Sequence, residues 1–225
     1  MEAIGNIKIR SREEIIAWFN RGKEIKERRM HEARQKWEER QRSKKVAAQS
    51  GFYDLEWIWI MNSLDIEAIC LHSPYDVCYD TEGAILFRTD YGVEYSVTFD
   101  DDANPYYPAY WFNLSNMNNR TSPGDPKIPQ TVICIIEEFF HKNPDILLYM
   151  CSTEGGQQAQ RARLFLRWFN GAEQQKQYVV RSVDVRGENN RNEYVALIVQ
   201  RSNPNLEEIL AIFDQETTMF NELKP

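Results

Sequence analysis

Cys151 stands at the end of an apolar run, Ile146–Cys151, just ahead of Gly155-Gly156. A thiol where a strand gives way to a helix could act as a nucleophile, because a helix N-terminus lowers a thiol's pKa. Bases to assist it are few. Of His31, His72 and His141, only the last two fall in the globular-looking region, a thin supply for general acid–base work. Cys70, His72 and Cys78 are residue types that suit zinc, but their spacing matches no finger and a fourth ligand would come from afar. Asp100-Asp101-Asp102 offers oxygen to a hard cation, although an acidic loop tip explains it more simply. Glu154-Gly155-Gly156 lacks the lysine and spacing of a phosphate loop. No catalytic residue, metal ligand or cofactor-binding residue is assigned on these grounds, and no cofactor is expected.

Cationic residues offer a different chemistry. Arg161, Arg163 and Arg167 share one helical segment and could clamp an anion, with a solvated helix face as the plainer reading. Nearer the N-terminus, Arg28, Arg29, Lys36, Arg40 and Arg42 lie in a dense basic stretch that could track phosphates through counterion release. The interleaved Glu24, Glu27, Glu32, Glu38 and Glu39 weaken that reading. A dimer or coiled-coil arm, or a helix folded against an acidic body, fits the stretch equally. Tyr106, Tyr107, Tyr110, Trp111 and Phe112 could form a stacking surface or the aromatic core of a strand.

The elements that position these residues follow from charge and periodicity. Residues 1–45 carry 14 Lys+Arg against 8 Asp+Glu, whereas the whole chain has a net charge of −7. The expected organisation is therefore a basic helical arm over 1–50 and an acidic α+β domain over 51–225. Hydrophobic content of 42% and charged content of 27% suit a water-soluble globular chain. No apolar run approaches the ~20 residues of a membrane helix, and the N-terminus lacks the layout of a signal peptide. A cytoplasmic protein with four reduced, scattered cysteines is expected.

Ser11-Arg12-Glu13-Glu14 is a capping box that opens the arm helix, and Ile15, Ile16, Trp18, Phe19 and Ile25 give its first turns a docking face. Residues 52–73 are open between strand and buried helix. Beyond them, strands are expected at Asp76–Asp80, Ala84–Thr89, Val93–Phe99 and Ala109–Leu114, from hairpin signals and alternation. A helix over Ile128–Lys142, a strand at Ile146–Cys151 and a helix over Gln157–Asn170 with Gly171 as its C′ residue follow. Two alternating strands, Tyr178–Val185 and Glu193–Arg201, precede a terminal amphipathic helix over Asn205–Leu223. The fold class is α+β, a largely antiparallel sheet in the order ββββ-α-β-α-ββ-α with helices packed on it, behind a long basic helix.

The stretches YDVCYDTEGAILFRTDYGVEYSVTF (75–99), IPQTVICIIEEFF (128–140) and LLYMCSTEGGQQAQRARLFLRWF (147–169) carry a resemblance. Together they resemble an uncharacterised family of small bacterial α+β domains, over about residues 74–222. That family opens on a tyrosine-rich meander, has a strand reading Tyr-x-Cys, and follows it with an arginine-bearing helix ending in Trp-Phe. The resemblance implies a fold and a bacterial source and brings no activity with it. The function expected is a non-enzymatic binding module whose residues 11–45 dock a protein partner or a second copy. Nucleic-acid binding through the basic helix, or an enzyme using Cys151 or the arginine cluster, are the alternatives.

Overall fold

The computed structural model describes residues 10–47, 64–102, 107–121, 123–151, 158–169, 171–186 and 192–222. Helix α1 (Arg12–Ala47) starts where the capping box places it. The Ser11 amide donates to Glu14 Oε2 at 2.7 Å, and the Glu14 amide donates back to Ser11 Oγ at 3.3 Å. Helix α2 (Ile66–His72) settles the later part of 52–73 as helix, capped by Asp65, whose side chain accepts from the Ala68 amide. Residues 52–63 lie outside the described residues. The remaining elements are β1 (Val77–Tyr79), β2 (Ile85–Arg88), β3 (Glu94–Asp101), β4 (Ala109–Asn116), α3 (Lys127–Lys142), β5 (Ile146–Met150), α4 (Gln158–Trp168), α5 (Ala172–Gln177), β6 (Tyr178–Arg186), β7 (Asn192–Gln200) and α6 (Leu206–Glu222).

The seven strands form one mostly antiparallel sheet in the order β1-β2-β3-β4-β5-β7-β6. β1, β2 and β3 pair as an antiparallel meander, with Phe87 opposite both Val77 and Tyr95. β5 enters beside β4 in parallel, Trp111 facing Leu148, because α3 carries the chain back between them. β7 then pairs antiparallel with both β5 and β6. The α+β class and the order of elements stand as the periodicities predicted, with the short α2 and α5 added.

Two compact units divide the chain. One comprises Met1–Lys26, Phe99–Phe112 and Pro144–Pro225. Its centre is β5, buried at every position. Ile146, Leu148 and Met150 share a core cluster with Ile15, Trp18, Phe19 and Ile25 of α1 and with Ile209, Phe213 and Phe220 of α6. Strand alternation sends Tyr149 the other way, onto Phe165 of α4 with ring centroids 3.9 Å apart. The second unit comprises Glu27–Thr98 and Asn113–Asn143. Val132, Ile135, Ile136, Phe139 and Phe140 are the buried stripe of α3, and Phe87 stacks between Tyr75 and Tyr95.

Two local expectations are corrected. Asp100-Asp101-Asp102 is not a loop tip: β3 continues through Asp101, and Asp102 is 1% exposed. Cationic and indole donors from the same unit neutralise it, as described below. Gly171 is not a left-handed C′ residue. Its φ is −64°, and it caps the N-terminus of α5 after α4 has already ended at Trp168.

Candidate functional site

The buried positions of α1 recur at helical spacing: Ile15, Trp18, Phe19, Gly22, Ile25, Lys26 and Ala33. Such a stripe is the inward face of a packed helix. Gly22 belongs to it for a steric reason, since a Cβ there would lie 2.5 Å from Trp111 Cη2 and 2.7 Å from Cζ2. The cations of this helix divide between inside and outside. Lys23 reaches Glu193 of β7 at 2.8 Å. Lys36 lies 2.7 Å from Glu82 and 3.5 Å from the buried Asp80. Arg28 and Arg29 both turn to Glu32, at 3.7 and 2.9 Å, and Arg42 lies 3.6 Å from Glu38. Arg40 falls within α1, but its side chain is outside the described residues. The exposed side of α1 carries Arg12, Arg21, Arg28 and Arg42 together with Glu13, Glu14, Glu24, Glu27, Glu38 and Glu39. It is a mixed-sign surface.

Just before α1, Arg10 is buried between two carboxylates, 2.7 Å from Glu216 of α6 and 3.3 Å from Asp102. Its guanidinium also stands 5.0 Å from the Trp18 ring centroid. Asp102 accepts from Trp111 Nε1 at 2.6 Å, and its carbonyl accepts from Arg21 at 3.0 Å. Burial pushes the Asp102 carboxyl up to about 6 against the opposing pull of Arg10. Glu216 is raised for the same reason. With every oxygen occupied by a donor of the same unit, this network fastens the N-terminal segment.

Cys151, Tyr149, Lys26 and Arg161 make a second polar group. Lys26 is 5% exposed, with its Nζ 5.6 Å from the Tyr149 ring centroid. Loss of water brings the Lys26 amine down to about 8, with nearby Arg161 adding to the effect. Burial drives the Cys151 thiol the other way, up to about 11, in spite of Tyr149, Lys26 and Arg161. A thiol in that range stays protonated at neutral pH and is a poor nucleophile. Sequence spacing held a signal for Lys26, which lies one turn and two turns beyond Gly22 and Phe19 on the buried stripe.

The other cysteines and ligand candidates are engaged elsewhere or dispersed. The Cys70 sulfur donates to the Val77 carbonyl and accepts from the Val77 amide. Cys78 and His72 are exposed. Among the described residues no cluster of histidine, cysteine and carboxylate side chains is arranged to hold a metal ion.

Helix α4 presents the last candidate. Ala162 and Phe165 face inward, as does Phe169 just beyond the helix, while Gln160, Arg163, Leu164 and Arg167 form an exposed stripe at helical spacing. Leu164 is 48% exposed, unusual for so large an apolar side chain here. The helix, QAQRARLFLRW, contains no acid. The exposed Arg163 donates through Nε to the Ala159 carbonyl at 3.2 Å, one turn back on the helix. Neither Arg163 nor Arg167 has an ion-pair partner among the described residues. Arg161 is half-buried and belongs instead with Lys26 and Cys151. Three arginines close in sequence thus serve two different places.

These features define a sheet-and-helix α+β protein that carries, among its exposed surfaces, a basic and partly apolar face on α4. Residues 124–215 match the model of a family of unknown function, DUF6169. The match takes in α3, β5, α4, α5, β6, β7 and the first part of α6, and is narrower than the 74–222 expected, leaving the opening meander outside it. No curated protein matches the chain, and no solved structure does. Among the described residues no helix is long and apolar enough to cross a membrane.

Proposed function

We propose that the protein is a cytoplasmic, non-enzymatic interaction module that docks a protein partner on the outer stripe of α4. The observation carrying this reading is Leu164, 48% exposed between Arg163 and Arg167 on a helix without acids. The inner side of α4 is packed, with Phe165 stacked on Tyr149, so the helix backbone is held in place and docking orders only the side chains of the stripe. Charge complementarity specifies the occupant: a protein segment with two carboxylates a helical turn apart around an apolar side chain. Arginine forks bind carboxylates in a bidentate, oriented way that lysines do not.

The docking surface is assigned to α4 rather than to residues 11–45, because α1 gives its apolar face to the core and shows both signs outward. The same mixture leaves phosphate tracking by α1 with less support. A thiol pushed up to about 11 lends none to catalysis by Cys151.

The reading is tested with the full chain and a fluorescent helical peptide bearing Glu one turn to either side of Leu, beside its Lys-for-Glu counterpart. Anisotropy at low salt should show binding of the acidic peptide alone. The Arg163→Glu/Arg167→Glu variant should bind it at least tenfold more weakly and take the basic peptide instead. Equal response to the two peptides, or no change in the variant, overturns the proposal.

A further inference from the structure

A pair of arginines converges at the β2–β3 turn, far in sequence from α4 and outside the matched segment. Gly92 has φ +73°, a left-handed conformation that glycine adopts without a side-chain clash. The position a Cβ would take there is 2.8 Å from Arg120 Nη1 and 3.7 Å from Arg88 Nη2. The two guanidinium nitrogens therefore stand no farther apart than the sum of those distances, each resting over a backbone that carries no side chain.

The surrounding hydrogen bonds brace the backbone on which the two arginines stand. Asn118 donates to the Gly92 carbonyl at 2.8 Å and accepts from the Glu94 amide at 3.4 Å, tying the segment after β4 to the turn. The Arg120 amide donates to the same Asn118 side chain at 3.3 Å, and the Arg120 carbonyl accepts from Asn116 at 2.8 Å. Asn119, between them, takes a left-handed φ of 52°. On the turn's other side the Gly92 amide donates to the Thr89 carbonyl and the Val93 amide to Thr89 Oγ1. The Arg88 backbone is set by its place at the end of β2.

Among the described residues no carboxylate forms an ion pair with either of these charges. Asp90, on the same turn, is taken by Lys127 at 2.7 Å and lies near the Tyr75 hydroxyl. Glu94 is directly across the strand pair from Arg88 yet makes no ion pair with it. Among the described residues Arg88 and Arg120 have no ion-pair partner. Two like charges side by side, on a braced backbone, are complementary to an anion that carries two charges and several acceptor oxygens.

We infer that Arg88 and Arg120 form a binding site for the dianionic group of a phosphate monoester, cradled over Gly92. A phosphate monoester carries between one and two charges at neutral pH and offers three terminal oxygens to two forks. Tyr91, 53% exposed on the same turn, supplies an aromatic surface next to the site, so free phosphate and an aryl monoester are the two sources to separate.

The test follows the arginine Nε–H resonances of the full chain by NMR, at constant ionic strength, while inorganic phosphate, phenyl phosphate or acetate is added. Saturable shifts confined to Arg88 and Arg120 are expected with both phosphates. Phenyl phosphate binding more tightly than inorganic phosphate would assign the site to aryl monoesters, and equal affinity would assign it to the phosphate group alone. Arg88→Gln or Arg120→Gln should weaken saturation at least fivefold, and the double variant should abolish it; both side chains are exposed, so folding should be unaffected. Shifts that grow linearly and match those from chloride, acetate saturating as well as phosphate, or saturation surviving in the double variant, would each overturn the assignment.

Discussion

At the scale of single residues, the burial of charge is the most consequential feature. Lys26 has a folded pKa of about 8 against its usual 10.5. Between those values the unfolded chain binds the extra proton, so this residue makes the protein more stable as pH rises from 8 toward 10.5. The full gain is of the order of 3 kcal/mol. Cys151 acts oppositely, losing stability as pH climbs from its usual 9.0 toward about 11. Urea unfolding of Cys151→Ala across this range should therefore expose a rising limb that Lys26→Met removes. Arg10 makes the contrasting case. Replacing it by Met leaves Asp102 and Glu216 buried without their cation, at a cost of about 3–5 kcal/mol near pH 7. Both carboxyls already have raised pKa values, so they take up protons as pH falls, and the penalty should be smaller at pH 5. Unfolding free energies at the two pH values check this. Gly22 is decided by sterics. Ala would gain up to about 1 kcal/mol in helix propensity, yet its Cβ overlaps the fully buried Trp111 ring. A net loss of about 1–3 kcal/mol is expected from the urea midpoint.

Whole elements separate structure from surface. α1 and α4 both carry arginines and both invite a binding role, but they bury different shares of themselves. Phe19 of α1 is 1% exposed and lies 4.4 Å, centroid to centroid, from Phe220 of α6. Phe19→Ala should cost about 3–5 kcal/mol through lost burial and the cavity left behind. Leu164→Gln on the outer side of α4 should change stability by no more than about 0.5 kcal/mol. Thermal unfolding of the two variants side by side measures the contrast. The capping box at Ser11 and the stripe of α3 were legible as sequence patterns, because each depends on residues within a few positions of one another. The fate of Asp102 was not legible. Its cationic partners Arg10 and Arg21 stand 92 and 81 positions earlier in the chain.

For the whole molecule, three cations of the basic N-terminal stretch are matched by carboxylates from later in the chain. Arg10, Lys23 and Lys36 are paired to Asp102, Glu216, Glu193, Asp80 and Glu82. Residues up to Lys26 belong to the same compact unit as β5, β7 and α6. Removing residues 1–26 should therefore abolish cooperative unfolding rather than release a folded remainder. Near-ultraviolet circular dichroism on heating would show it, and a truncated chain retaining a sharp transition would contradict it.

The amino-acid sequence by itself determined the α+β class and the order of the longer helices and strands along the chain, because period and turn chemistry act over short separations. The order of the strands within the sheet, and the short α2 and α5, came only with the tertiary structure. The sequence also put Arg161, Arg163 and Arg167 on one helix. Tertiary structure alone decided that Arg161 turns to a buried lysine while Arg163 and Arg167 face solvent, and that Arg120 meets Arg88 over Gly92. The reason is physical: what a charge does depends on which distant groups share its desolvation, and that is settled only when the elements pack.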